Sequence, residues 1–295
     1  MLNTLRNLVR LARPSHWIKN TFVFAALIFS RHLTQREDVL ASLLAFAAFC
    51  LASSAIYALN DVLDRNEDAR HPRKRLRPVV SGEVSVAAAV ALAVVLAAGA
   101  VAVASAVRWP FAAVLGIYLV LMLSYVLGLK RVAILDVLIL AVGFVLRAYA
   151  GGVAIDVWVS PWLVLCTLTL ALFLGFAKRE CERVALGPAA AETRLVKWHI
   201  YDEKSLAHMM TVSAALAVAT YMLYTVSPET TQRVGNPWMF ITVLPVVYGV
   251  FRFHRMAILG RAGDAVEMIR RDPAFVITVG VWLAVVVLVL MSGKL

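Results

Sequence analysis

The chain has 295 residues, 62% of them hydrophobic and 16% charged, with a mean hydropathy of +0.82. Soluble domains carry about 25% charged residues, so this balance excludes an ordinary soluble domain and indicates an integral membrane protein. The net charge of +11 does not indicate nucleic acid, because the bases gather in short connections between apolar segments, where cytoplasmic loops of membrane proteins collect Lys and Arg.

The first residues, 1–13, alternate with a helical period. Leu2, Leu5, Leu8, Val9 and Ala12 fall on one side, and Arg6, Arg10 and Arg13 on the other. This pattern predicts an amphipathic helix lying on an anionic membrane surface, and it is also compatible with a helical lead-in to the first span. A spanning helix needs roughly 20 mostly apolar residues. Nine segments come close: 17–34, 39–60, 84–107, 109–128, 132–154, 161–178, 207–227, 237–254 and 273–292. The first is the weakest, because His16, Trp17, Lys19 and Asn20 at its start must face something other than lipid.

No strand-like alternation appears. The expected fold is therefore an all-α integral membrane protein, with 1–295 as a single bundle of nine transmembrane helices around a cytoplasm-facing polar cavity. With the N-terminus inside, the connections after the even-numbered spans and the N-terminal segment hold nearly all of the Lys and Arg. The outer connections carry Arg31, Arg36, Arg108, Arg233 and Lys294. The expectation is a multi-pass protein of the cell (inner) membrane, N-terminus cytoplasmic and C-terminus outside. Trp109, Trp158, Trp162 and Trp238 near the outer ends read as an aromatic belt. Cys50, Cys166 and Cys181 are widely spaced and read as free thiols. His71 before Pro72 reads as shaping a turn, and 187–191 as a flexible piece of loop.

The second span ends in NDVLDRNEDARHPRKRLRP, residues 60–78. If the helix continues past the membrane surface, Asp61, Asp64 and Asp68 are spaced i, i+3, i+7 and share one face. Three stacked carboxylates repel unless a cation joins them. Mg²⁺ suits such a site, since it takes one or two carboxylates plus substrate phosphate oxygens. Asn60 adds a neutral oxygen, and Lys74 and Arg77 can neutralise the rest of a phosphate group. The alternative is a solvated loop whose charges pair among themselves, and for Arg65, Arg70, Arg73 and Arg75 that is the preferred reading. A second charged connection follows the sixth span. Together 61–83 and 179–206 are read as cytoplasmic catalytic loops capping a common cavity.

Arg147 lies inside an otherwise apolar span, where a charge is costly and usually faces a polar cavity. Asp136, eleven residues earlier on the same helical face, is about 16 Å away along the axis, too far for a direct bond. Lys130 also reads as an ordinary cytoplasmic anchor beside Arg131, and Tyr125 as an interfacial anchor.

The N-D-x-x-D-x-x-x-D pattern at 60–68 resembles the first aspartate motif of the UbiA superfamily of intramembrane prenyltransferases. RPSHWIKN (13–20), the full stretch 60–78, Y-x-x-G-L-K (125–130), LRAYAGG (146–152) and KRECE (178–182) resemble, in order and over nearly the whole chain, the phosphoribosyltransferase branch of that superfamily. Where aromatic prenyltransferases carry a second aspartate motif after span 6, this chain has Lys178-Arg179-Glu180-Cys181-Glu182. These residues match the KR-x-x-E pattern of the branch, except that Glu180 departs from an expected aromatic residue, which leaves the exact donor open.

The resemblance implies Mg²⁺-dependent transfer of phosphoribosyl from phosphoribosyl diphosphate to a polyprenyl (decaprenyl) phosphate held in the membrane. It further implies a place in arabinan precursor synthesis. Asp64, Asp68 and Lys74 are then the catalytic residues, with the metal on Asp64 and Asp68 helped by Asn60 and Asp61. Lys19, Asn20, Arg77, Tyr125, Lys130, Arg147, Lys178, Arg179 and Glu182 would bind substrate. In that set Asn20 orients Lys19, and Glu182 bonds a ribose hydroxyl or joins the metal shell. Two other readings compete: a UbiA-type enzyme moving a prenyl group to an aromatic or other small acceptor, and a transporter with a charged vestibule. The oligomeric state, homo-oligomer included, is left open.

Overall fold

Inside a bilayer the backbone must satisfy its own hydrogen bonds, and the apolar segments do so as α-helices. The structure is a computed structural model that describes residues 2–30, 32–70, 74–186, 201–261, 268–269 and 272–292. Among these residues it is helical, with no strand. His71, Pro72 and the 187–191 stretch lie outside the described residues. Among the described residues, eight helices are long and apolar enough to cross a membrane. By Cα proximity the chain forms two compact units, Met1–Ser160 and Pro161–Leu295.

The first unit opens with helix α1 (Leu2–Ala12), followed by Arg13 in a left-handed conformation (φ 52°, ψ 59°). The expected first span, 17–34, is not one α-helix. Pro14–Phe24 is a 3-10 helix, and Ala25–Phe29 (α2) is a single α-helical turn. An eleven-residue 3-10 helix is unusual, because its hydrogen bonds are poorer than those of an α-helix. Tertiary packing holds it here. A Cβ on Gly151 would lie 1.9 Å from the Val23 carbonyl oxygen, so only glycine lets the two backbones touch.

The long helices of this unit are α3 (Arg36–Leu63), α5 (Val86–Val107), α6 (Trp109–Leu127) and α7 (Leu135–Ala154). A short helix α4 (Arg65–Asp68) prolongs α3. Helices α3 and α5 meet through alanines: Ala45, Ala48, Ala52, Ala100 and Ala104 are buried in one core with Phe49, Phe111, Leu115 and Tyr118. Val94, Val95 and Val101 of α5 point outward. In lipid, burying apolar surface gives no drive toward association, so small residues that allow close approach face inward and larger ones face the tails.

The second unit contains α8 (Pro161–Leu186), α9 (Glu203–Val226), α10 (Pro228–Val234), α11 (Val243–Ile258) and α12 (Pro273–Ser292). Phe173, Phe253 and Phe275 stack edge to face in its core. Asp202 and Ser227 cap α9 and α10 through the amides of Ser205 and Thr230. Helix α8 runs on through Leu186, so Lys178–Glu182 stand on a helix where the sequence suggests a loop. Cys50, Cys166 and Cys181 are free thiols.

Candidate functional site

The carboxylates come from the end of α3. Helical bonding continues past Asn60: the Asp64 amide bonds the Asn60 carbonyl at 2.9 Å and the Asp68 amide the Asp64 carbonyl at 2.8 Å. Asn60, Asp61, Asp64 and Asp68 therefore lie along one face, as their spacing predicts. Asp61 is only 1% exposed and Asp68 is also buried. Buried carboxylates need partners, and three bases supply them. Arg77 Nη1 donates to Asp61 Oδ1 at 3.0 Å and also to Asp68 Oδ2. Arg13 Nη2 donates to Asp61, and Lys130 Nζ donates to Asp64 and, at 3.3 Å, to the Asn60 side-chain oxygen.

Local structure explains how each base arrives. Arg77 follows a short turn at Lys74–Leu76, and its carbonyl accepts the Ser81 amide at 2.9 Å. Lys130 sits in the turn after α6 and is 4% exposed. It is turned inward onto Asp64, not outward as a surface anchor. Arg13 is delivered by the junction after α1. Ser54 Oγ donates to the Ala12 carbonyl at 2.7 Å, Trp17 Nε1 donates to Ser54 Oγ at 3.0 Å, and the Arg13 guanidinium lies 5.1 Å from the Tyr57 ring centroid. A left-handed residue before proline is strained, and these contacts hold it. Burial pushes the Asp68 carboxyl above its usual range, Arg77 and Lys74 oppose that shift, and the neighbouring Asp64 and Asp61 add to it.

Two helical turns deeper on α3 is a second charged centre. Asn20 donates to Ser53 Oγ at 3.2 Å and to Cys50 Sγ at 3.3 Å. Ser53 and Asn60 are seven residues apart, which places this centre about 10 Å further along the same helix face. Asn20 accepts from Arg147 Nε at 2.8 Å. Arg147 also donates to the Gly143 carbonyl at 2.8 Å and to Tyr118 Oη at 2.7 Å. Its guanidinium carbon lies 4.7 Å from the Tyr118 ring centroid and 5.2 Å from that of Phe144. Arg147 is 6% exposed, and each of these partners is neutral. Asn20 thus orients Arg147 and links α7 to α3. Tyr125 packs half-buried against the core of this unit. Lys19 and Lys74 are half-buried.

In the second unit the end of α8 carries interleaved pairs. Arg179, buried, donates to Glu182 at 3.2 Å. Glu180, also buried, takes two bonds from Arg183 at 2.9 and 2.8 Å. Arg183 reaches on to Glu203 at 3.3 Å, at the first residue of α9. The position where an aromatic residue is expected is thus an ion-paired anchor. Glu182 spends a carboxylate oxygen on Arg179.

Among the described residues, no three of His, Cys, Asp and Glu converge as a preformed metal cage. The donor set at 60–68 nonetheless fits a hard cation. Its carboxylate and amide oxygens share one helix face, and oxygens of Asp61 and Asp68 are close enough to bond one nitrogen. Mg²⁺ draws its remaining ligands from substrate phosphates and water. Sequence reasoning missed Arg13 and Tyr118. Arg13 reads as part of an amphipathic face, and Tyr118 as one more apolar-span residue. Nothing local in the sequence signals either contact, since each partner is remote in the chain.

The model described as the UbiA prenyltransferase family matches residues 21–270. The chain is 32% identical to a decaprenyl-phosphate phosphoribosyltransferase of Mycolicibacterium smegmatis, covering 96% of this chain and 92% of that protein. It is 28% identical to one of Corynebacterium glutamicum, covering 97% and 87%. Among solved structures, a UbiA homolog from Archaeoglobus fulgidus bound to DMAPP and Mg²⁺ superposes with a TM-score of 0.69 at 18% identity, covering 97% of this chain and 99% of that one.

Proposed function

Because the chain belongs to the UbiA prenyltransferase family, we propose that it is a polyprenyl-phosphate phosphoribosyltransferase, moving 5-phosphoribosyl from phosphoribosyl diphosphate to decaprenyl phosphate with release of diphosphate. One observation carries this reading: the near full-length similarity to decaprenyl-phosphate phosphoribosyltransferases. The polar cluster at the end of α3 is consistent with it. Three carboxylates interleaved with Arg77, Lys130 and Arg13 suit a ligand that brings both metal and phosphate. The Lys178–Glu182 stretch of α8, where two bases accompany two acids in place of a second aspartate motif, weighs against a prenyl diphosphate donor.

Asp64 and Asp68, with Asn60 and Asp61, would hold Mg²⁺, which supplies charge stabilisation for the departing diphosphate. Lys74, Arg77 and Lys130 neutralise the diphosphate oxygens as the C1–oxygen bond breaks. The ribose C1 gains oxocarbenium character as in glycosyl transfer generally. An oxygen of the acceptor phosphate then forms the new bond to C1. That oxygen is already anionic at neutral pH, so no general base is needed and no proton is left to place. Lys19, Asn20, Tyr125 and Arg147 complete substrate binding in the first unit, with Arg147 as a fixed cation held by Asn20 and Tyr118. Lys178, Arg179 and Glu182 are assigned to substrate binding in the second.

The same proposal includes topology. Pro14–Phe29 forms the ninth crossing: eleven 3-10 residues and five α-helical ones rise about 30 Å, the thickness of a bilayer core. The basic connections then lie inside with the N-terminus, the C-terminus lies outside, and the polar cavity faces the cytoplasm. The test is donor selection by the purified protein. Diphosphate release that requires both phosphoribosyl diphosphate and decaprenyl phosphate supports the reading. Release from a prenyl diphosphate with a small aromatic acceptor would replace it.

A further inference from the structure

The three aspartates at 61, 64 and 68 are each bonded to a base. Asp61 is held by Arg13 and Arg77, Asp68 by Arg77, and Asp64 by Lys130. The three acids are matched by these three bases, and Lys74 acts on Asp68 as a further cation. A divalent ion taking these oxygens must compete with cations already bonded to them. A diphosphate must likewise compete with carboxylates for the same bases. Either ligand alone would leave uncompensated charge among Asp61, Asp68 and Lys130, which are nearly fully buried, and buried charge is costly. Together the two ligands offset each other's charge.

The three bases differ in how they are held. Arg13 is tied on several sides: by its left-handed backbone, by the Tyr57 ring, and by the Ser54 bond to Ala12 beside it. Arg77 comes from the stretch after a short turn, and its one nitrogen is shared by two carboxylates. Lys130 is a single ammonium on a three-residue turn, with no ring or backbone contact of the kind that holds Arg13 among its described partners, Asp64 and Asn60. Guanidinium and ammonium groups bond phosphate oxygens as readily as carboxylates.

We propose that Arg77 and Lys130 are exchangeable counter-ions, whereas Arg13 is a permanent one. Arg77 and Lys130 hold the carboxylates until a diphosphate arrives, then pass to its oxygens and release Asp64 and Asp68 to the metal. Arg13 stays on Asp61 and keeps that carboxylate in register. Metal and diphosphate therefore bind with positive coupling, and by linkage each tightens the other by the same factor. This exchange presupposes the diphosphate donor proposed above, but not its phosphoribosyl group.

The experiment uses the full-length protein in neutral-lipid nanodiscs, with Mn²⁺ followed by electron paramagnetic resonance and labelled inorganic diphosphate followed by retention on the discs. With Mn²⁺ alone, Arg77→Gln should bind the ion more tightly than wild type by about tenfold, within the usual range of coupling effects. The same variant should retain less diphosphate. Arg13→Gln should retain more diphosphate than Arg77→Gln does, because Arg13 stays on Asp61. If Arg77→Gln does not fold, Lys130→Gln makes the same test at Asp64. Mn²⁺ affinity in both Arg77→Gln and Lys130→Gln that is equal to or weaker than wild type would overturn the exchange. A protein that shows the tighter Mn²⁺ binding but transfers no phosphoribosyl would instead retain the exchange and lose the proposed substrate.

Discussion

Gly151→Ala is the sharpest perturbation the fold offers. The added Cβ would meet the Val23 carbonyl oxygen at 1.9 Å and the Val23 carbonyl carbon at 2.8 Å. Both are backbone atoms, so no rotamer change relieves the clash and the Pro14–Phe24 segment must move. That segment carries Asn20, whose oxygen takes the Arg147 Nε proton at 2.8 Å. Overpacking costs about 1–3 kcal/mol, and losing a bond to a charged group costs about 1.5–3 more. Gly116, on α6, has nothing within 4 Å of its Cβ position. Alanine there should be neutral, or stabilising by up to about 1 kcal/mol through helix propensity. Thermal unfolding read by a thiol-reactive dye suits both variants, because Cys50 and Cys181 are buried. Gly151→Ala should lower the midpoint and reduce activity, whereas Gly116→Ala should not. A Gly151→Ala protein with wild-type midpoint and turnover would refute the backbone contact, and with it the account of why 14–24 is a 3-10 helix.

Asp64→Asn and Asp68→Asn should nearly abolish turnover while leaving the protein folded, as judged by size-exclusion profile and thermal midpoint; wild-type rates would sink the metal assignment. Arg147→Lys cannot reproduce three bonds in one plane, and about 1–3 kcal/mol should be lost for each buried partner left unpaired; an unchanged midpoint would show those bonds to be dispensable. Arg183→Met leaves the Glu180 charge buried alone and should cost about 3–5 kcal/mol, with Glu180→Leu in the same chain restoring most of it. Additive losses in the double variant would argue against the pair. The Asp202 carboxyl is held below its usual range by its side-chain and backbone bonds to Ser205. A depressed carboxylate contributes stability that is present above its unfolded pKa and lost as pH falls through the folded value. Asp202→Ala should therefore be less stable than wild type at neutral pH, and the two curves should converge in acid.

The parts of the molecule read correctly from sequence are those with local causes. Hydropathy located the long helices because each must satisfy its backbone within itself. The shared face of Asp61, Asp64 and Asp68 followed from helical spacing alone. What was not legible depends on residues remote in the chain. The Asn20–Arg147 bond joins positions 127 residues apart, and Lys130 meets Asp64 across 66. The end of α8 looks like a loop by charge, yet the pairs Arg179–Glu182 and Glu180–Arg183 are spaced i, i+3 and stabilise a helix. The 3-10 segment was unreadable for a related reason. Its cause is a glycine on another helix, and no propensity within 14–24 announces it.

The most direct test of the central claim is transfer of label into lipid. The purified protein, in nanodiscs containing decaprenyl phosphate, is incubated with Mg²⁺ and phosphoribosyl diphosphate labelled in the ribose, and the organic phase is counted. The account predicts labelled lipid that disappears with EDTA and in Asp64→Asn. An unlabelled organic phase, with a prenyl diphosphate consumed onto a small aromatic acceptor under the same conditions, would contradict it.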